Sequence, residues 1–143
     1  MNCSAKLFYT AMCLGAAALA ATGIGVFILG KPPMTHWVLM AHIAAAPLFA
    51  LGLAGVALTW ADLCRRGSSA RLGPVAKVLL WVILVCGLVV VVTGVTPMTP
   101  LFGTTGQRVL YLIHRYAGIV LALVILLHLA ALRTSTALKH PSK

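Results

Sequence analysis

Residues 106–133 read GQRVLYLIHRYAGIVLALVILLHLAALR. The run is apolar and long enough to cross a bilayer as one helix. It carries two histidines, His114 and His128, fourteen residues apart. At about 100° and 1.5 Å per residue, they lie about 21 Å apart along the axis and about 40° apart around it. They share one face, one near each side of the membrane. A titratable, metal-binding side chain is costly in hydrocarbon, so its default reading is functional. A single such histidine would equally suit a hydrogen bond inside a helix interface. Two on one face at this spacing favour ligation of haem iron.

The rest of the chain has the same solvent in mind. Of 143 residues, 62% are hydrophobic and 8% charged, with a mean hydropathy of +1.06. That balance excludes a soluble domain and implies an integral membrane protein. Eleven Lys and Arg face one acid, Asp62. The basic residues are confined to loops and ends, where they set topology and meet anionic lipid. Nucleic acid is therefore not the expected partner. Cys3, Cys13, Cys64 and Cys86 form no CxxC or CxxCH pattern, so no chemistry is assigned to them.

Four apolar segments can be marked, at about residues 7–29, 34–60, 75–95 and 107–132. The first begins like a signal peptide, with Lys6, an apolar run and Ala20–Ala21. It is long for one, and is read as a retained helix. Gly30-Lys31-Pro32-Pro33 reads as a turn, Asp62–Ser69 as a polar loop and Thr96–Gly106 as a second break. Val82–Val92 is as rich in Val and Ile as a buried strand. In a bilayer the backbone must satisfy itself within the segment, so it too is read as helix. The expected fold is an all-α integral membrane four-helix bundle.

With four spans, Lys6, Arg65, Arg66, Arg71, Lys77, Arg133, Lys139 and Lys143 share one side, against Lys31, Arg108 and Arg115 on the other. The positive-inside rule then places both termini in the cytoplasm. His36, His42 and His114 lie toward the outer side, and His128 toward the inner.

The two halves resemble each other. Thr22-Gly23 is followed by a proline-containing turn and, 19 residues after the glycine, by His42. Thr93-Gly94 is followed by a similar turn and, 20 residues on, by His114. Each half reads as a helix closed by Thr-Gly, a turn, and a helix bearing a histidine in its outer third. Under this helix-turn-helix repeat the second and fourth helices run parallel, with His42 and His114 at nearly equal depth. Two imidazoles so placed can clamp one porphyrin iron from opposite faces. Ala44, Ala45, Ala46, Ala117 and Gly118 next to them leave room for a flat macrocycle. The same small residues also suit close helix packing.

In this layout, and in His114-x13-His128 together with His42, the chain resembles the four-helix b-type cytochrome subunits of bacterial membrane formate dehydrogenases, thiosulfate reductases and nickel hydrogenases. The resemblance implies that His42 and His114 share one haem b. In that family the inner histidine of the last helix shares a second haem with a histidine near the start of the first. Residues 1–20 contain no histidine and position 56 is Val56, so His128 lacks that fellow ligand. Met12, a ligand from another subunit, a five-coordinate iron, and a quinone-binding or vestigial role all stay open for it.

Arg108 and Arg115 are candidates to pair with haem propionates, or to snorkel to the headgroups. His36 suits a propionate or quinone better than iron, and Trp37 and Trp60 read as interfacial anchors. The expected role is electron transfer in a bacterial cytoplasmic membrane, between a quinone pool and other redox subunits, such as a periplasmic cytochrome or iron–sulfur protein. Two other classes compete: a cofactor-free anchor, and a small transporter with a histidine proton path.

Overall fold

A computed structural model describes residues 3–30, 34–67 and 73–137. It contains four long helices and no strand among the described residues: α1 (Cys3–Ile28), α2 (His36–Arg65), α3 (Pro74–Val95) and α4 (Thr104–Ala137). A single 3-10 turn, Thr96–Met98, follows α3. All four helices are long and apolar enough to cross a membrane. The all-α four-helix reading holds, as does the placing of the valine-rich stretch in a helix.

Helix ends differ from the expected ones for local reasons. Thr22-Gly23 does not close α1, which continues to Ile28. A glycine in an apolar helix keeps its backbone hydrogen bonds, which is what the bilayer requires. The stop comes at Gly30, whose φ of +64° only glycine adopts freely. Asp62 and Arg65 lie in the last turn of α2, not in a loop. Asp62 meets Arg65 Nη2 at 2.9 Å and Arg66 Nε at 2.8 Å, both exposed pairs on the helix surface. Gly67, at φ +67°, then turns the chain away. Lys31, Arg71, Lys139, His140 and Lys143 lie outside the described residues.

The bundle is two hairpins, α1 with α2 and α3 with α4, closed by lighter contacts of α1 with α4 and α2 with α3. The diagonal helices α2 and α4 nowhere bring their Cα atoms within 8 Å, and nor do α1 and α3. In the first hairpin Gly15 lies against the backbone of Phe49, and Gly52 against that of Met12. Gly55 likewise makes room for the Phe8 ring, and Gly87 of α3 for Leu53. Small residues allow such approach where lipid gives helices no hydrophobic reason to associate.

Packing divides the bundle across its length. Met12, Phe49, Leu53, Val56, Trp60, Leu80, Ile83, Val90, Leu121 and Ile125 form one buried cluster. Beyond Phe49, Val90 and Leu121 toward the other end, Thr93 is the one described residue that is buried. Burial is thus concentrated in one half of the bundle, the closed half, and sparse in the other. Pro47, which removes one backbone donor from α2, stands next to this boundary. Trp60 belongs to the closed core at 5% exposure and is not an interfacial anchor. Trp37 is 84% exposed.

Candidate functional site

His42 and His114 project from the diagonal helices α2 and α4 in the half with little burial. Each is tethered to the helix preceding it. His42 Nδ1 lies 2.8 Å from Thr22 Oγ1. That hydroxyl donates its hydrogen to the Ala18 carbonyl at 2.8 Å, with the Leu19 carbonyl at 3.1 Å. Its oxygen is left to accept the Nδ1–H of His42. In the second hairpin, His114 Nδ1 lies 3.0 Å from the Val90 carbonyl and 3.3 Å from Thr93 Oγ1. A carbonyl has no hydrogen to give, so His114 Nδ1 is the donor.

The Val90 carbonyl fixes hydrogen on Nδ1 and a bare electron pair on Nε2 for His114, and the same tautomer follows for His42 with the Thr22 hydrogen on the Ala18 carbonyl. Among the described residues no hydrogen bond reaches either Nε2. The ring centroids are 6.3 Å apart with an interplanar angle of 72°.

The Thr-Gly pair of each repeat is therefore a seat for an imidazole. A side chain at Gly23 would place its Cβ 3.5 Å from His42 Cε1, an ordinary contact. At Gly94 it would lie 3.1 Å from His114 Cε1 and 3.3 Å from Nδ1, which is tight. Thr22 and Thr93 were not foreseen as site residues. The signal was nevertheless present, in a threonine 20 or 21 residues before each histidine.

The donor set discriminates between ligands. Among the described residues no cluster of three or more His, Cys, Asp or Glu is placed to hold a metal ion. A bare ion such as zinc needs about four ligands; two imidazoles suffice only where a macrocycle supplies the remainder. His42 and His114, with ring centres 6.3 Å apart, are the residues that would hold such a group.

Among the described residues the other histidines, His36 and His128, are not brought to this pair. His36 opens α2 in an exposed position, at a strained φ of +52°. His128 lies in the closed half, 3% exposed. Its ring stands 6.0 Å from that of Tyr9 and beside the Ala76 backbone. Among the described residues its Nδ1, like Trp60 Nε1, has no hydrogen-bond partner. Met12 is fully buried in the same half.

Of the two arginines, Arg108 is exposed and Arg115 half-buried. The Arg115 guanidinium carbon lies 3.8 Å from the centre of the Phe27 ring and 5.5 Å from that of Tyr116. Such stacking holds a cation near apolar surface. It leaves Nε buried and, among the described residues, without a hydrogen-bond partner. The cysteines are all free thiols.

Comparison with protein-family models, with curated proteins and with solved structures gave no match to this chain.

Proposed function

We propose that the chain is a membrane b-type cytochrome subunit that holds one haem b between His42 and His114. The observation that carries this reading is the paired tautomer. Two imidazoles on diagonal helices each commit Nδ1 to a neighbour and leave Nε2 free, with ring centres 6.3 Å apart. They do so in the half of the bundle where Thr93 is the one described residue that is buried. When bound, haem would supply a one-electron Fe(III)/Fe(II) couple. The chain's own part is to hold both axial nitrogens in place, keep the surroundings apolar and present Arg115 and Arg108 to the anionic propionates.

The partners are a quinone pool and a second redox protein, a periplasmic cytochrome or iron–sulfur subunit. The described chain outside the helices consists of short turns, which supports a subunit role rather than substrate chemistry. The setting is a bacterial cytoplasmic membrane with both termini inside. Lys6, Arg65, Arg66, Lys77 and Arg133 sit at the inner end by this reading, and Arg108 and Arg115 at the outer.

A dithionite-reduced minus oxidised spectrum with a pyridine haemochrome count tests the reading. One haem per chain is expected, unchanged in His128→Leu, because the surroundings of His128 are filled by packed side chains. Two haems would overturn the single-site assignment. None, in protein made with haem in excess, would overturn the cytochrome and leave a cofactor-free anchor.

The tight contact at Gly94 makes a separate prediction. Gly94→Ala should weaken haem binding about tenfold, the lower end of what loss of ligand positioning costs. Gly23→Ala should leave it unchanged. Titration of the haem-free protein with hemin checks both.

A further inference from the structure

The two halves of the repeat hold their histidines by unequal means. Among the described residues His42 has one partner for Nδ1, the Thr22 hydroxyl at 2.8 Å. His114 has two, and the shorter, at 3.0 Å, is the Val90 peptide carbonyl. A carbonyl cannot rotate its acceptor away or offer a hydrogen in its place. A hydroxyl can do both, unless its hydrogen is engaged, and that of Thr22 is engaged by the Ala18 carbonyl. The chain from Ala18 carbonyl through Thr22 hydroxyl to His42 thus fixes which ring nitrogen carries the proton. On the other side, Thr93 donates to the Val89 carbonyl at 2.7 Å and stands only 3.3 Å from the ring. Its removal leaves the carbonyl untouched.

Resting on the haem reading above, we infer that Thr22 is a positioning residue: its hydroxyl alone holds His42 with Nδ1 protonated and Nε2 free for iron, whereas His114 is held by the Val90 carbonyl and needs Thr93 only in support. Partners of this kind orient a ligating imidazole and raise its basicity. The more basic ligand favours ferric over ferrous iron, so the Thr22 contact also lowers the potential of the couple. Sequence symmetry would make the two threonines equivalent. The geometry makes them unequal.

Valine matches threonine in shape, and in an apolar helix it keeps the fold, so Thr22→Val and Thr93→Val isolate the hydroxyl. Thr22→Val should lower hemin affinity 10- to 100-fold, the range for loss of such a partner. Thr93→Val should change it by less than about threefold, since the stronger of its partners stays. Thr22→Ser should restore affinity. The ferric form should lose more than the ferrous; a tenfold difference reads as a rise of about 59 mV in midpoint potential. Equal effects of the two valine variants, no effect of Thr22→Val, or no rescue by serine would overturn the inference.

A second measurement separates this from the haem reading itself. Imidazole 15N shifts of the haem-free protein should show the Nδ1–H tautomer at both His42 and His114. Thr22→Val should mix tautomers at His42, and Thr93→Val should leave His114 unchanged. A wild type that takes up no hemin yet shows this pattern would overturn the cytochrome and keep the lock. A mixed tautomer at His42 in the wild type would overturn the lock whatever the haem content.

Discussion

Alanine at His42 or at His114 is expected to abolish the Soret band while leaving all four helices folded. The two effects differ in size because the imidazoles contribute so differently to fold and to binding. Each ring is only half-buried and tied to the adjacent helix at one nitrogen. Losing that tie costs about 1 kcal/mol of stability, within what the closed half of the bundle can absorb. For an axially ligated haem the loss removes one of two protein bonds to the metal. A partner that merely orients a ligand is worth 10- to 100-fold in affinity, so removal of the ligand itself should exceed about 100-fold. Far-UV circular dichroism should stay as in the wild type while absorbance near the Soret maximum disappears. Added imidazole should restore a low-spin spectrum, since it can occupy the space the side chain leaves. A variant that keeps its full spectrum would show that the pair does not ligate haem.

Gly52→Ala should produce the largest loss of stability in the chain. Its Cβ would lie 2.7 Å from Met12 Cα, and closer still to the Met12 nitrogen. Both are backbone atoms that cannot swing aside as a rotamer can. Relief requires α1 and α2 to move apart across a contact that also seats Gly15 against Phe49, where an added Cβ would lie 2.6 Å from the Phe49 backbone nitrogen. Overpacking of this kind costs roughly 1–3 kcal/mol, sometimes more, and about 3 kcal/mol is expected here. Unfolding in mixed micelles with increasing SDS would show the midpoint falling. Gly25→Ala is the control, because a Cβ there meets nothing within 4 Å; its midpoint should stay within about 0.5 kcal/mol of the parent. Equal midpoints for the two variants would show that α1 and α2 do not approach as closely as described.

Much of the architecture was legible in the residues alone. Hydropathy marks four spans because a bilayer admits few structures besides helices, and helix rise turns residue number directly into depth. That arithmetic was enough to predict His42 and His114 at one level and His128 at another, and the 6.3 Å ring separation agrees with the first. What the residues did not disclose is rotation about each helix axis. Lipid is as apolar as the bundle interior, so no amphipathic stripe announces which face turns inward. Trp60 therefore read as an interfacial anchor and lies in the core, and Thr22-Gly23 read as a helix stop and forms the seat of His42. The concentration of burial in one half of the bundle, and the stacking of Arg115 on Phe27 in the other, likewise arise only when four helices are set against one another. Spacing along a helix is local geometry; which side chain it meets is a property of the neighbours.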